Sequence, residues 1–577
     1  MKVNLVNENF ESNYLENLLA ARGITDIERY LNPDASCLNS PSLLDNMPKG
    51  AKLLENILNK ENSKILLVID CDVDGFTSSA IMYIYIRSIA PEQHIDYILH
   101  EHKQHGLEDH IQILLESDTY YDLVILPDSS SNDYLYHDEL GKLGTQCLIL
   151  DHHDIEPGTP ISKYATIINN QLSKNYPNKD MTGAGVAWQF CRYFDQVKNY
   201  HYSDSLIDLA ALGICGDMGS ILDLENRYIM FEGFKHVTNY FFKCAIEKQS
   251  YSMNNEVTPI SVAFYIVPLM NAMIRMGTML EKERLFLGLI DGHLKVPCNK
   301  RGAKGTMEEV AIESLRECTN AKSKQNRITD QMVSELEQKI FKYDLLENKI
   351  LFIRLNNDDE YPSEVNGLCA MKLAAKYKRP TILARLNEEG YDRGSIRNVA
   401  DCELQDLKKF LNNSGYFQWV HGHPNSAGAS ILDSNLRAFH EYANEALKDI
   451  NFNEGMYDVN FIRDVNSPDL EKMVFELARQ TDVWGQNNPE PLIFVPDIYL
   501  GSYDYKVIGT NKDTVRFEKN GIIFIKFHAS DLIRQLDSCN EIKVSIVGRP
   551  NINEWMGSQT AQIMIEDYDV VDDLLEF

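Results

Sequence analysis

The sequence predicts an α/β protein in several parts: a parallel sheet alternating with helices through about residue 230, a long helical connector, a second α/β segment, and a small β-barrel at the end. Three observations predict it. Short β-branched runs at 64–69, 122–126 and 146–150 alternate with helical patterns. The stretch from Met307 to about Leu346 contains no glycine or proline. Beyond Val459 the pattern changes to short alternating strands divided by turns.

Taken in order, Lys64–Ile69 is an apolar strand that runs into Asp70-Cys71-Asp72-Val73-Asp74-Gly75, followed by a helix over about Thr77 to Ala90. Tyr121–Leu126 ends at Pro127-Asp128, and the run ending at Leu150 is closed by Asp151-His152-His153-Asp154. A helix over Gly185 to Phe194 precedes a fourth apolar segment, Leu209–Gly216, which delivers Asp217. After the connector, a second α/β segment spans Lys349 to Asp449. Lys506–Ile508, Ile522–Ile525 and Lys543–Val547 read as barrel strands. Parallel sheets place ligands at the carboxyl ends of their strands, and those are the ends that carry the acids and histidines.

At 577 residues the chain exceeds what one core fills, so three or four domains are expected. No run of about 18 uninterrupted apolar residues offers a membrane span, and the first residues lack the apolar stretch of a secretory signal. A cytoplasmic protein with no membrane partner is the expectation. The eleven cysteines are scattered and never form a CxxC pair, which argues for reduced thiols over a disulfide framework or zinc finger. A net charge of −29 excludes non-specific coating of nucleic acid, so such a substrate needs a locally basic groove. Candidates are Lys300, Arg301 and Lys304, and Lys372, Lys376, Lys378 and Arg379. Taken singly, each is more simply a solvated charge.

The chemistry lies in the acidic motifs. Asp70, Asp72 and Asp74 have strand period, but a turn there lets their oxygens converge on hard cations, with Gly75 permitting the sharp exit. Asp128, His152 and Asp217 add ligands at other element ends. An aspartate after a strand is often only a turn or cap residue. Three aspartates in five residues plus Asp-His-His are hard to produce by capping. The set is enough to hold two divalent ions ~3.5–4 Å apart, a spacing suited to in-line attack on a phosphodiester, with one carboxylate as the bridge.

On these motifs the chain resembles the DHH phosphoesterase superfamily, and within it the bacterial RecJ single-strand-specific exonucleases. Leu18–Ile24 and Tyr30–Pro33 are similar to that family's amino-terminal signature, and Asp70–Gly75, Asp128, Asp151-His152-His153 and Leu212–Asp217 to its four motifs. Glu225-Asn226-Arg227, Thr182–Ala187 and Pro268–Gly277 continue the likeness. So do Arg379–Ile382, Gly394–Asn398, His421–Gly428, Trp484–Pro491 and Ile552–Gly557, in collinear order over nearly the whole chain.

The resemblance implies a DHH-type parallel-sheet domain, a long connecting helix, a DHH-associated α/β domain and a C-terminal OB-like β-barrel. Expected boundaries are 1–50 for an amino-terminal segment, 51–305 for the catalytic domain, 306–346 for the helix, 347–452 for the DHH-associated domain and 453–577 for the barrel with its acidic tip. It implies two divalent metal ions, Mn²⁺ or Mg²⁺, held by Asp72, Asp74, Asp128, His152 and Asp217, with Asp128 as bridge and Asp70 a ligand or its neighbour. His153 would sit beside the scissile phosphate. Arg275, Ser395, Arg397, Gly422 and His423 would hold substrate phosphates from a facing domain.

The sequence departs from the family in places. Pro127-Asp128-Ser129-Ser130-Ser131 lacks the usual glycine after the aspartate. The loop at His100–Leu107 lacks the usual arginine, so phosphate contact there would pass to Lys103 or His105. Leu269 stands where an arginine is common, and His421 replaces the first glycine of a Gly-Gly-His signature. Val296 to Glu309 looks like an insertion. In the barrel Tyr503, Tyr505, Phe517, Phe524 and Phe527 are available for base stacking, although each is more simply core. Asp569–Phe577, acidic and ending in phenylalanine, resembles the tail of single-strand-binding proteins, and a single-strand-binding protein or another replication or repair protein is the partner expected there.

The expected activity is metal-dependent hydrolysis of single-stranded DNA from the 5′ end to mononucleotides. A small-nucleotide phosphodiesterase and a non-catalytic replication or repair scaffold are the alternatives.

Overall fold

The computed structural model of the chain describes residues 1–356, 361–538 and 540–571. They pack as two compact units, one formed by 24–324 with 481–489, the other by 1–23, 325–480 and 490 onward.

The first unit is built on five parallel strands, β1 (Lys64–Ile69), β2 (His94–Leu99), β3 (Leu123–Pro127), β4 (Gln146–Asp151) and β5 (Ala165–Asn169), in the order β2-β1-β3-β4-β5. Both faces are covered, which is why the strands read as unbroken apolar runs. Ile65, Leu67 and Ile69 face the larger core, while Leu66 and Val68 face a smaller one with Leu126, Leu140 and Ile149. The larger core takes in α1 (Met47–Leu58), α2 (Val73–Ile89), α3 (Gly183–Lys198), α4 (Ile207–Gly216) and α5 (Leu224–Lys235). Strand order reverses between β1 and β3, which opens a crevice at their carboxyl ends.

The expected helices start earlier than their apolar periodicity. Helix α2 begins at Val73 because Asp72 caps it, its carboxylate accepting the Gly75 amide at 3.0 Å. Gly75 therefore lies in a helix and makes no sharp exit. A Cβ there would stand 2.6 Å from both Cβ and the carbonyl oxygen of Asp70, so the glycine serves close approach. The segment before Asp217 is the helix α4, buried on nearly every side, and all-round apolarity carries no periodicity from which to tell helix from strand. Pro259–Met276 has the length and composition of a membrane span, but it divides into the helices Pro259–Tyr265 and α6 (Val267–Met276), and 56% of it is buried.

The 296–309 segment forms an antiparallel hairpin, β6 (Lys295–Pro297) with β7 (Met307–Glu309), leading into the long helix α7 (Val310–Lys342). In the second unit, β8 (Leu351–Leu355), β9 (Thr381–Leu386), β10 (Tyr391–Arg397), β11 (Phe417–His423) and β12 (Ser426–Leu432) form a mixed sheet in the order β11-β12-β10-β9-β8, with only β8 and β9 parallel. Helix α8 (Asn366–Tyr377) packs beside β9 and β10.

The last sheet has seven strands: β13 (Phe461–Ile462), β14 (Ile493–Gly501), β15 (Tyr505–Ile508), β16 (Thr514–Lys519), β17 (Ile522–Lys526), β18 (Glu541–Trp555) and β19 (Ser558–Val571), ordered β13-β14-β18-β19-β17-β16-β15. The strand expected at Lys543–Val547 runs on past Gly548 and Pro550, because a register shift at Val547/Gly548 absorbs the interruption. Lys2–Leu5 pairs in parallel with Met456–Val459, so the amino-terminal stretch divides between the units after Gly23.

Several sequence candidates find ordinary places here. Phe517 and Phe524 are buried and stack on each other at 4.9 Å, whereas Tyr503 and Phe527 are exposed and Tyr505 bonds Asp537. Lys372 pairs with Asp330 of α7 at 2.5 Å and Lys376 pairs with Glu337, which neutralises two members of that basic group. Residues 572–577 of the acidic tip lie outside the described residues.

Candidate metal centre

Acids and imidazoles from five elements meet at the crevice. Asp70 leaves β1 almost wholly buried; its Oδ2 accepts His105 Nδ1 at 2.6 Å and its Oδ1 the Gly106 amide at 3.4 Å. Asp74, in the first turn of α2, faces the amino terminus of α3. There its Oδ1 accepts the Thr182 hydroxyl (2.9 Å) and the Ala184 amide (3.0 Å), and its Oδ2 accepts the Gly183 amide (2.6 Å). A helix amino terminus favours an anion, and Oδ2, with one bond, keeps capacity for a cation.

Asp128 follows β3 with φ at +66°, its amide donating to the Leu150 carbonyl at 2.8 Å. That backbone twist turns its buried carboxylate toward the neighbouring strand ends. Gly183 makes the approach feasible, since a Cβ there would lie 2.5 Å from Asp128 Cβ. Ser130 takes φ at +78°, which is how this chain turns without the glycine the family usually has.

His152 Nε2 then lies 3.1 Å from Asp128 Oδ1, 3.5 Å from Asp217 Oδ2 and 4.0 Å from Asp74 Oδ2. Among the described residues neither His152 Nε2 nor Asp128 Oδ1 has a hydrogen-bond partner, although both atoms are buried. Asp70, Asp72 and Asp128 form a second triad whose oxygens lie within 4.8 Å of one another. Asp128 thus belongs to this all-carboxylate triad and, with His152 and His153, to a histidine-bearing one.

The electrostatics follow from this crowding. Burial, then the charges of Asp74, Asp72, Asp70 and Asp217, push the Asp128 carboxyl well above the usual range. Burial raises Asp70 and Asp74 as well, and pushes Asp217 up to about 7 with help from Asp74 and Asp72. Burial lowers His152, leaving it the neutral imidazole that a metal takes. Converging carboxylates with unfavourable charge, together with unpartnered buried ligand atoms, form a donor set fitted to divalent cations.

The neighbouring histidines differ. His153, half exposed, places Nδ1 2.8 Å from Asp151 Oδ1. Burial opposes its charge, but the bond and the Asp151 carboxylate outweigh burial and raise it to about 9. Asp151, fully buried, also accepts the amides of Ser131 (3.1 Å), His152 (2.7 Å) and His153 (3.2 Å). It organises the turn, and among the described residues it belongs to none of the groups whose ligand atoms converge closely enough to hold a cation. His105, expected near phosphate, is engaged by Asp70, whose hydrogen bond raises it to about 11. Thr182-Gly183-Ala184 is an unassigned participant, and its glycine-rich helix start was the available signal.

Arg275 ends α6 in the same unit as the acids, not in a facing one, with its buried Nε unpartnered. Ser395, Arg397, Gly422 and His423 lie in the second unit. Ser426 of β12 pairs with Arg397 on one side and His423 on the other, which brings these two strand ends together. The Arg397 guanidinium lies over Gly367 of α8, where a Cβ would be 2.4 Å from its Nη2. Gly422 has φ at +127° and its carbonyl accepts Lys408 Nζ at 2.7 Å.

Two family models match the chain: the DHH family, N-terminal domain, over residues 64–214, and the RecJ OB domain over residues 464–567. YorK, the SPbeta prophage-derived protein of Bacillus subtilis (strain 168) whose name describes a single-strand DNA-specific exonuclease, is 35% identical over 581 aligned positions, 99% of this chain and 98% of that one. The single-stranded-DNA-specific exonuclease RecJ of the same strain is 25% identical over 95% of this chain and 67% of its own length. The crystal structure of Thermus thermophilus RecJ in complex with Mn²⁺ shares the fold, with a TM-score of 0.72, 19% identity, and coverage of 98% of this chain and 80% of that one. On these matches and on the motifs that carry them, the chain belongs to the DHH family, among its RecJ-like single-strand-DNA-specific exonucleases.

Proposed function

We propose that the protein is a two-metal exonuclease that degrades single-stranded DNA from the 5′ end to mononucleotides. The observation that carries this reading is the unpartnered approach of His152 Nε2 to three carboxylates, beside a second triad that shares Asp128. Asp74, His152 and Asp217 would hold one Mn²⁺ or Mg²⁺, and Asp70 and Asp72 the other, with Asp128 between them. When bound, such a pair supplies an activated water and neutralises the charge that develops on the phosphoryl oxygens.

The chain's own groups do the rest. Asp151 holds the His152-His153 turn, so that one imidazole faces the cluster and the other, as a cation, lies beside the scissile phosphate. The amides at the start of α3 orient the Asp74 carboxylate. The unpartnered Nε of Arg275 suits a substrate phosphate, and Ser395, Arg397, Gly422 and His423 would grip phosphates from the DHH-associated segment. Residues 51–305, 306–346, 347–452 and 453–577 would serve as catalytic, connecting, phosphate-binding and strand-binding parts. The 5′ to 3′ direction rests on membership of the RecJ-like exonucleases; docking of a single-strand-binding protein or another replication or repair protein on the acidic tip rests on the tip's charge and terminal phenylalanine.

The test is cleavage of 5′-labelled and 3′-labelled single strands with added Mn²⁺ or Mg²⁺. Metal-dependent release of labelled mononucleotide from the 5′-labelled strand first is expected. Asp128→Ala and His152→Ala should each lose more than about a thousandfold in rate while still binding the strand. Wild-type turnover in both variants would contradict the two-metal reading, and early release of the 3′ label would contradict the direction.

A further inference from the structure

The β6–β7 hairpin segregates charge. Every acid at its foot is engaged: Glu308 and Glu313 by Arg316, Glu317 by Arg284 at 2.5 Å, and Glu309 by the Tyr240 hydroxyl at 2.6 Å and by Lys295 at 3.4 Å. The tip, Asn299-Lys300-Arg301-Gly302-Ala303-Lys304-Gly305, contains three cations and no acid. Lys300, Arg301 and Lys304 are exposed, and none has an ion-pair partner among the described residues. In a chain with 56 basic against 85 acidic residues, three adjacent unpaired cations are a local exception.

The tip is also held in shape. The Ala303 amide donates to the Lys300 carbonyl at 3.0 Å, the Thr306 amide to Ala303 at 3.1 Å, and the Cys298 amide to Thr306 at 2.8 Å, giving two successive tight turns. Gly302 and Gly305 supply φ of +86° and +91°, and among the described residues nothing lies within 4 Å of either Cβ position. Its base is fastened to α7, with Val310 N on the Leu294 carbonyl at 2.8 Å and Arg316 across Glu308 and Glu313.

We infer that this hairpin is a phosphate-backbone contact for the DNA strand, made by Lys300, Arg301 and Lys304 outside the metal centre. This inference rests on the proposed nuclease function. Cations at fixed positions that release condensed counterions bind a polyanion without reading its sequence, and the contact is legible as a salt dependence. The chain's net charge repels the same polymer elsewhere, which makes a pre-shaped basic projection effective at the point of approach.

The test is binding of a fluorescent 20-nucleotide oligothymidylate over a range of salt, without divalent cation so that the strand survives. The variant Lys300→Gln/Arg301→Gln/Lys304→Gln should bind about tenfold more weakly at low salt, and its log–log salt slope should be shallower by about 2. The charge-conserving variant Lys300→Arg/Arg301→Lys/Lys304→Arg should keep wild-type affinity and slope, which separates charge from hairpin shape. Equal affinity and slope for the glutamine variant and wild type would overturn the inference while leaving the nuclease reading intact. A wild-type protein that does not bind the strand would overturn both.

Discussion

Gly183 faces Asp128 so closely that a Cβ on the glycine would stand 2.5 Å from Cβ and 2.6 Å from Oδ1 of the aspartate. The helix start that holds Asp74 is thus also the wall against which Asp128 sets its carboxylate.

Gly183→Ala decides between two effects. Alanine gains about 1 kcal/mol over glycine by propensity in a helix interior, and less at the first helical position, where Gly183 stands. Overlap at 2.5 Å with a buried ligand has no relief except displacement of the ligand. We expect a stably folded variant whose Mn²⁺ affinity, measured by titration calorimetry, falls at least tenfold, with cleavage falling alongside. Unchanged affinity would show that Asp128 has room to move.

Asp151→Asn tests the organiser of the turn. The carboxylate accepts four donors, and an amide nitrogen facing any of them becomes donor against donor. Loss of a group that orients metal ligands costs about 10–100-fold in metal affinity or activity. That range is expected for cleavage of a single strand at saturating Mn²⁺, with the unfolding midpoint little changed. A wild-type rate would show that the first letter of the motif is dispensable.

His137 predicts a pH dependence of stability. Its ring is fully buried without hydrogen-bond partners among the described residues, and burial lowers it to about 4 from an unfolded value near 6.5. The unfolded chain therefore binds a proton that the folded chain refuses. The His137 contribution is complete above pH 6.5 and is lost as pH falls toward 4, with a cost of about 2 kcal/mol at pH 5. His100, lowered by burial to about 3, acts in the same direction. Urea unfolding of His137→Leu at pH 7.5 and pH 5 should show a smaller acid loss than wild type by about that amount; equal losses would assign the acid sensitivity elsewhere.

Arg227→Ala addresses a buried cation that joins distant sequence. Its Nε donates to the Tyr30 carbonyl at 3.1 Å, and its two terminal nitrogens reach the carbonyl and carboxylate of Asp482 at 3.0 and 2.7 Å. The rings of Tyr30 and Phe231 lie 5.3 Å from the guanidinium. Breaking a buried pair costs about 3–5 kcal/mol. Water still reaches Asp482, so the lower end is expected, read as a lower urea midpoint. A loss below about 1 kcal/mol would place Arg227 among ordinary surface pairs.

Much of the architecture was legible because burial on both faces writes unbroken apolar runs. The strands β1, β3 and β4 stand where those runs stand, with acids and histidines at their carboxyl ends, and α7 fills the stretch free of glycine and proline. Less legible were the places where close packing overrides local pattern. Helix α4 has no apolar period because it is buried nearly all round, and β18 passes a glycine and a proline by shifting register.

By itself the sequence determined the alternation of strands and helices and which acids and imidazoles stand at their ends, because covalent order and hydrophobic period are local properties. Only the tertiary structure decided that Asp128 stands in both triads, that Asp151 serves the turn, that His105 is taken up by Asp70, and that Arg275 lies in the same unit as the acids. Those outcomes depend on distances between residues far apart in the chain. Such distances are set by strand order, a left-handed backbone at Asp128, and the absence of side chains at Gly75 and Gly183.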